Sequence, residues 1–332
     1  MAFAKELEVG LAAVRLAARV CQSVQASITG DVLDKQDKSP VTVADFASQA
    51  VICRALQQAF PHDPVISEEE ADALNREENS PFRDRILKEL AAVGIEATPE
   101  ELSQWVDHGS EKSPGARFWT LDPIDGTKGF VRGDQYAVSL ALIVEGEIQV
   151  AVLGCPNLPG HDGWDKQRGA LFSAVRGEGA QLRPLAESAE HPQSVRVSST
   201  RKGSFARLCE SVESGHSAHS DSARIAALLG ISNDPVRLDS QAKYAVVARG
   251  EADIYLRLPT KKDYREKIWD HAGGVLVVEE AGGKVTDVDG KPLDFQQGSE
   301  LRNNRGVVVT NGGLHAEVLS AVAAVLGGET LA

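Results

Sequence analysis

Two aspartates that lie three residues apart at the end of an apolar run have the clearest chemical potential in this chain. They are Asp122 and Asp125, in the segment WTLDPIDGT. Pro123 fixes φ and Gly126 permits unusual values of φ, so we expect the backbone to turn sharply here. Both carboxylates and the Ile124 carbonyl can then face one point, and Mg²⁺ prefers such hard oxygen ligands. Taken alone, the motif is also compatible with a metal-free Asx-type turn.

Other acidic residues stand at the ends of predicted elements. Glu68 directly follows a short apolar strand and opens an acidic triplet with Glu69 and Glu70. Asp45 stands near the start of one predicted helix, and Asp270 opens another. Each of these residues taken singly could be a helix cap or part of a solvated surface. They gain chemical meaning only if the fold brings them together.

The elements that must position these residues form two predicted parts. In residues 1–190, apolar spacing predicts helices over 4–28 and 43–60 and a short strand at 65–66. Short apolar runs then alternate with turn residues, which predicts an antiparallel meander. Its strands are expected at Phe118–Leu121, Tyr136–Val144, Ile148–Gly154 and Ala170–Val175. This part is predicted to be an α+β domain that carries the metal ligands.

The polar stretch 181–194 predicts a boundary, after which helices and strands alternate. Residues 191–332 are therefore predicted to form an α/β domain that binds the substrate. Helices are expected at Ser204–Ser211, Asp221–Leu229, Gln241–Arg249 and Trp269–Ala281, with a final helix from about Gly313. Strands are expected at Val195–Ser198, Val236–Leu238, Ile254–Leu258, Lys284–Val288 and Gly306–Thr310.

The composition limits the possible functions. The chain has 332 residues, 42% of them apolar, and a net charge of −13 without a basic block. This charge argues against binding a nucleic-acid polymer, although a bound metal could still attract a small anion. No apolar stretch approaches the ~20 residues that span a bilayer. The first residues are predicted to start a helix rather than a signal peptide, and the four cysteines to be reduced thiols in a cytoplasmic protein.

Four motifs occur in the order expected for a known superfamily. They are VTVAD at 41–45, ISEE at 66–69, DPIDGT at 122–127 and WDHAGG at 269–274. On these motifs the chain resembles the inositol-monophosphatase-like superfamily of magnesium-dependent, lithium-sensitive phosphatases. The resemblance covers nearly the whole chain. It implies a layered αβαβα sandwich.

Finer features resemble one branch, the 3′(2′),5′-bisphosphate nucleotidases. The matching segments are SPVTVAD at 39–45, GTKGF at 126–130, LDSQAKY at 238–244, YLRLP at 255–259 and YREKIWDH at 264–271. The branch implies removal of the 3′-phosphate from 3′-phosphoadenosine 5′-phosphate, a by-product of sulfate transfer. The sulfated nucleotide 3′-phosphoadenylyl sulfate and the 2′ isomers are further expected substrates. An inositol phosphate phosphatase, or a non-catalytic relative that senses nucleotide or metal, remains an alternative.

The resemblance also implies the metal site. Two to three Mg²⁺ ions would be held by Asp45, Glu68, Asp122, the Ile124 carbonyl, Asp125 and Asp270. Asp122 would bridge two ions, and a weaker third ion near Asp45 and Glu68 would carry the attacking water. Thr127, hydrogen-bonded to Asp45, would help to orient and deprotonate this water. Glu68 matches the family spacing better than Glu69, and Li⁺ and possibly Na⁺ are expected to inhibit.

The same resemblance implies a substrate site. Its expected members are Gly126, Thr127, His216, Ser240, Lys243, Arg257 and Asp270. Arg257 offers a planar fork suited to a phosphate that is not cleaved. His216 lies in the segment GHSAH, where His219 is the alternative. The expected partner is a small nucleotide bisphosphate, bound by a monomer that interacts with neither a nucleic-acid polymer nor a membrane.

Overall fold

The computed structural model describes residues 2–27, 32–34, 40–112, 115–160, 168–186, 191–212, 219–261 and 264–327. The helices are α1 (Ala4–Ala26), α2 (Val43–Ala59), α3 (Ser80–Ala92), α4 (Pro99–Asp107), α5 (Thr127–Arg132), α6 (His219–Leu228), α7 (Ala242–Ala248), α8 (Ala272–Glu280) and α9 (His315–Leu326). The strands are β1 (Val32–Asp34), β2 (Pro40–Thr42), β3 (Val65–Ser67), β4 (Arg117–Asp125), β5 (Ala137–Val144), β6 (Glu147–Pro159), β7 (Arg168–Val175), β8 (Gly179–Pro184), β9 (Gln193–Val195), β10 (Leu208–Glu210), β11 (Val236–Arg237), β12 (Ile254–Arg257), β13 (Lys284–Thr286) and β14 (Val307–Thr310).

Strands β3 to β9 form one sheet in sequence order. Strand β3 pairs with β4 in parallel, and every later pair is antiparallel, which confirms the predicted meander. The hairpin between β5 and β6 turns at Glu145 and Gly146, which both have positive φ. Two left-handed residues are what a tight two-residue hairpin requires. Strand β9 lies beyond the predicted boundary at residue 190 yet completes this sheet, and the division into domains stays a prediction.

The second sheet has the order β11-β10-β12-β14-β13. Strand β10 pairs in parallel with both β11 and β12, whereas β14 pairs antiparallel with β12 and β13. The helix predicted at Ser204–Ser211 is therefore wrong, because this segment contains a short 3-10 turn (Gly203–Phe205) and then β10. Pairing on both sides decides the conformation of a strand as short as β10, and local spacing does not report this pairing.

Helices and sheets alternate as layers. Helices α1 and α2 pack on one face of the first sheet, and α7 and α8 lie between the two sheets. Helices α6 and α9 pack together, and α9 contacts β14 on the far side of the second sheet. The predicted αβαβα sandwich is thus confirmed. Among the described residues, no helix combines the length and apolar character needed to cross a bilayer.

The first turns of α2 and α8 place two acidic residues. Thr42 and Asp45 form a capping box at the start of α2, as its position near a helix start suggested. Helix α8 begins at Ala272, later than the predicted start at Trp269. Asp270 therefore lies in the turn before this helix rather than in it, and its side chain faces Arg257.

Candidate active site

The end of β4 carries the two aspartates that the sequence singles out. The pairing of β4 with β5 shifts register between Asp122 and Asp125, so an irregularity of the strand separates them. Such bulges bend a strand and redirect its side chains. Ser48 of α2 donates a hydrogen bond to the Pro123 carbonyl at 2.8 Å, which fixes the strand end against this helix.

Asp122 is the buried centre of a group of carboxylates. It is 1% exposed, and its Oδ1 has no hydrogen-bond partner among the described residues. Burial raises the pKa of Asp122 well above its usual value, and the charges of Glu68, Asp125, Asp270 and Asp45 raise it further. Since carboxylates so placed repel one another, they need a cation to remain ionised together. Hard oxygen donors around a buried, unpartnered oxygen suit Mg²⁺.

Asp45 is held by its own helix and faces Thr127. Its Oδ2 accepts hydrogen bonds from the Thr42 backbone N–H at 2.7 Å and the Thr42 hydroxyl at 2.6 Å. Its Oδ1 lies 3.5 Å from the Thr127 hydroxyl, which also lies 3.3 Å from the Ile124 carbonyl oxygen. The Thr127 proton can go to only one of these two acceptors at a time. The expected Asp45–Thr127 contact is therefore present, although it is long.

The structure distinguishes the two neighbouring glutamates. The charge of Glu68 contributes to the raised pKa values of Asp122 and Asp270, so Glu68 lies with the other carboxylates. Glu69 is 3% exposed, and its backbone N–H and carbonyl are both bound by the Gln49 side chain. This arrangement favours Glu68 as the ligand, in agreement with the spacing in the sequence.

Arg257 connects Asp270 to a buried polar network. Its Nη2 lies 3.5 Å from Asp270 Oδ2, and its Nε lies 2.7 Å from Glu266 Oε2. Glu266 also contacts His271 Nε2 at 3.1 Å, and His271 Nδ1 contacts the Tyr244 hydroxyl at 2.7 Å. Burial raises the pKa of Asp270 to about 8, although the Arg257 charge opposes this rise. A cation of the protein thus already faces this side of Asp270.

Glu266, Asp270 and His271 form a compact trio, with ligand atoms within 4.8 Å of one another. The predicted metal ligands form no trio as compact among the described residues. The trio nevertheless suits a metal ion less well, because the Arg257 guanidinium already pairs with both of its carboxylates. Glu266, which is itself bound by His271, therefore serves to hold Arg257 beside Asp270.

Ser240 lies on the segment that leads into α7, and Lys243 is in the first turn of this helix. Lys243 is 3% exposed, with Nζ 3.3 Å from the Leu238 carbonyl and 5.3 Å from the centre of the Tyr255 ring. Burial lowers the pKa of Lys243, and the charge of Asp125 opposes this shift. Ser240 has a φ of 66°, which is rare for a residue with a side chain and is often found at functional sites.

Two glycines permit a close approach of α5 to the segment 238–240. Gly126 has a φ of 87°, and a Cβ there would lie 3.0 Å from Ser240 Cβ. A Cβ at Gly129 would lie 2.4 Å from the Gln135 carbonyl oxygen and 2.6 Å from Asp239 Oδ2. Glycine at position 129 is therefore a packing requirement. Gly126 itself lies beside Ser240, as expected for one site.

His216 lies outside the described residues, and His219 is the first residue of α6. Sequence reasoning missed Glu266, Gln241 and Gln49, which hold the expected site residues through buried hydrogen bonds or ion pairs. Glu266 lies inside the segment YREKIWDH, which was a signal that could have identified it. Gln241 likewise lies inside the segment LDSQAKY, whereas Gln49 lies outside every matching segment and has no comparable signal.

Comparison with known proteins gives the family. The model of the inositol monophosphatase family matches residues 4–326. The 3′(2′),5′-bisphosphate nucleotidase of Emericella nidulans is 44% identical, over 98% of this chain and 99% of that protein. The enzyme of that name from Schizosaccharomyces pombe is also 44% identical, over 98% and 97%. The solved IMPase of Thermotoga maritima shares the fold at 22% identity, with a TM-score of 0.65 and coverage of 97% and 98%. The chain belongs to the inositol monophosphatase family.

Proposed function

We propose that the protein is a magnesium-dependent 3′(2′),5′-bisphosphate nucleotidase. It would remove the 3′-phosphate of 3′-phosphoadenosine 5′-phosphate to give AMP and phosphate. The observation that carries this proposal is a carboxylate group around the buried Asp122, with two cationic side chains nearby, the buried Lys243 and the half-buried Arg257. A site with these two parts suits a substrate that has one phosphate to cleave and one to hold. The names of relatives at 44% identity support the same substrate class.

The residues divide the work as follows. Glu68, Asp122, the Ile124 carbonyl, Asp125 and Asp270 would hold two Mg²⁺ ions, and Asp45 with Glu68 a third. Bound Mg²⁺ would neutralise phosphate charge and lower the pKa of a bound water. Asp45 would accept a proton through the Thr127 hydroxyl, which is directed at either Asp45 or the Ile124 carbonyl.

The uncleaved phosphate would lie against Ser240, Lys243 and Arg257. Arg257 is fixed in place by Glu266, so its remaining N–H groups are pre-organised for a phosphate. A cavity of about 350 Å³ is lined by Asn157, Val212 and other residues, including Leu238 and Asp239, which directly precede Ser240. We place the nucleoside there, because the cavity adjoins the segment that carries Ser240 and Lys243.

The test is phosphate release by the purified protein. We expect rapid release from 3′-phosphoadenosine 5′-phosphate with Mg²⁺ and none with EDTA. Inositol 1-phosphate and inositol 1,4-bisphosphate are the comparison substrates. A higher kcat/KM on an inositol phosphate would assign the alternative activity. No release from any of these phosphates with Mg²⁺ would support a non-catalytic, ligand-sensing role instead.

Further parts of the proposal are independent of this assay. We propose that the sulfated nucleotide and 2′ isomers are also substrates, and that Li⁺ and Na⁺ compete with Mg²⁺. We also propose that the protein acts as a monomer in the cytoplasm, without a nucleic-acid polymer or a membrane as partner. The net charge of −13 supports the exclusion of the polymer.

A further inference from the structure

A buried glutamine, Gln49, holds the segment that carries Glu68. It lies on α2 and is 0% exposed. Its Nε2 donates to the Glu69 carbonyl at 2.7 Å and to the Val106 carbonyl at 2.8 Å. Its Oε1 accepts from the Ser67 hydroxyl at 2.6 Å and from the Glu69 N–H at 3.1 Å. The residues on both sides of Glu68 are therefore tied to one side chain.

A second buried glutamine, Gln241, holds the segments that flank Asp270. It is 1% exposed, and its Nε2 donates to the Trp269 carbonyl at 2.9 Å. Its Oε1 accepts from the Ser139 hydroxyl and the Gly274 N–H, both at 3.0 Å. Its backbone N–H donates to Asp125 Oδ2 at 2.6 Å. This one residue therefore connects both segments that flank Asp270 with Asp125 at the end of β4.

We propose that Gln49 and Gln241 are positioning residues that set the separation of the metal-binding carboxylates. The Gln49 amide accepts hydrogen bonds from the residues on either side of Glu68, and the Gln241 amide bonds the backbone of Trp269 and Gly274, on either side of Asp270. Neither amide is itself expected to bind the ion. The inference rests on the proposed metal-dependent function. Carboxylates that repel one another need such rigid supports, since the loops that carry them would otherwise move apart.

An amide suits this task better than a charged group. It supplies two donors and an acceptor with two lone pairs, which can tie several backbone groups at once. It also adds no further charge beside carboxylates whose pKa values are already raised. The Gln241 bond to Ser139 of β5 and the Gln49 bond to Ser67 of β3 connect both amides to the first sheet.

The test is the affinity of the metal-free protein for Mn²⁺, measured from the EPR signal of the free ion. Gln49→Met and Gln241→Met keep the length of the side chain and remove its amide. We expect each variant to raise the Kd for Mn²⁺ by about 10–100-fold, as loss of groups that orient metal ligands commonly does. The matched control is Asn304→Leu. Asn304 is a buried amide that bonds Asp287, Pro292 and Asp294, none of which is a proposed metal ligand.

The control should lose stability but keep the Kd within about twofold of wild type. If folded Gln→Met variants bind Mn²⁺ like wild type, or if Asn304→Leu weakens binding equally, the inference is wrong while the proposed function stands. If the wild type itself binds no Mn²⁺, the proposed function is wrong as well. If the Met variants do not fold, Ser67→Ala and Ser139→Ala replace them in the same measurement. We expect each to raise the Kd for Mn²⁺ at least roughly threefold. An unchanged Kd would overturn the inference.

Discussion

At the scale of single residues, Asp122 is buried away from solvent, and its Oδ1 has no hydrogen-bond partner in the part of the chain that the structure describes. The capping carboxylate Asp45 has two hydrogen bonds from Thr42, and Asp125 has one from Gln241. A group with this little compensation is costly to keep in a fold unless it has a task. We therefore expect the proposed metal binding to depend most on Asp122.

We expect Asp122→Asn to lower kcat for nucleotide hydrolysis by at least ~10³-fold. The substitution preserves the shape of the side chain and removes the charge that would bridge two ions, and a single charge-stabilising group is worth ~10²–10³-fold. Steady-state kinetics at saturating Mg²⁺ measure this loss. Asp289→Asn, at an exposed position, is the control. Activity of Asp122→Asn within tenfold of wild type would contradict the metal assignment.

Lys243→Met should distinguish substrates by their number of phosphates. The change removes the charge but keeps most of the apolar stem that is buried against Tyr255. Because a charge-assisted hydrogen bond contributes ~1.5–3 kcal/mol, we expect kcat/KM to fall by roughly 10–100-fold for the nucleotide bisphosphate. For AMP analogues with a single 3′-phosphate the change should stay small. Lys284→Met, at an exposed sheet edge, is the control. Equal losses of kcat/KM on both substrates would show that Lys243 supports the fold or the metal site and does not contact the uncleaved phosphate.

Lithium should inhibit hydrolysis at millimolar concentration. Li⁺ prefers hard oxygen ligands but carries one charge, so it compensates less of the carboxylate and phosphate charge than Mg²⁺ does. We expect exchange near Asp45 and Glu68, where the fewest protein ligands are available. Initial rates at several Mg²⁺ and substrate concentrations test this. Inhibition should ease with more Mg²⁺ but not with more substrate, and KCl at equal ionic strength should not inhibit. No effect of Li⁺ at sub-saturating Mg²⁺ would contradict the third site.

At the scale of elements, α9 is joined to the second sheet through a histidine. His315 Nδ1 contacts the Thr310 hydroxyl of β14, and Nε2 contacts the Thr286 hydroxyl of β13, both at 3.0 Å. Burial and, to a smaller extent, the nearby Lys284 charge lower the pKa of His315 to about 4. The imidazole is therefore neutral in the folded protein at neutral pH, and its two hydroxyl contacts connect the ends of two strands to the helix.

This environment predicts acid sensitivity. Because the folded pKa is about 4 and that of an unfolded histidine is about 6.5, the stabilisation is present above pH ~6.5 and is lost as the pH falls toward 4. We expect the stability difference between wild type and His315→Gln to be about 2 kcal/mol smaller at pH 5 than at pH 7. Urea denaturation at both pH values measures it. His62→Gln, at an exposed position, is the control, and a pH-independent difference would contradict the prediction.

The long elements could be predicted from the sequence and the short ones could not. Helices α1 and α2 have many residues at helical spacing, and the hairpins of the meander have turn residues between apolar runs, so both appeared where expected. Strand β10 has three residues, and its conformation depends on β11 and β12, which lie elsewhere in the chain. Strand β8 was missed because its outward residues made the segment read as a polar boundary.

At the scale of the whole molecule, the carboxylates come from different layers. Asp122 and Asp125 end a strand of the first sheet, whereas Asp270 precedes α8, which lies between the sheets. A cation bound by all three would join these layers. The acidic residues could be identified from motifs, but their meeting point could not, because Gln241 and the Arg257–Glu266 pair fix it through contacts distant in sequence.

Magnesium should therefore stabilise the folded protein, and ligands in either layer should matter. A ligand that binds only the native state adds about 2.7 kcal/mol at 100 times its Kd, which corresponds to a rise in Tm of several degrees. We expect Asp122→Asn and Asp270→Asn each to abolish this rise, measured by thermal denaturation with and without Mg²⁺. Asp289→Asn should keep it. If Asp270→Asn keeps the full rise, the cation is held by the first sheet alone.

The capping box of α2 has a consequence for the order in which the site is assembled. Asp45 obtains its position from Thr42, three residues away, so its carboxylate is placed as soon as the first turn of the helix forms. The other carboxylates obtain theirs only when segments more than a hundred residues apart have met, as Asp125 and Gln241 have. During folding, the group proposed to serve the attacking water is thus prepared early by local structure, and the ion-binding centre is completed last. A chain that has not finished folding would have its proton acceptor in place without being able to retain Mg²⁺, and hence without hydrolytic activity.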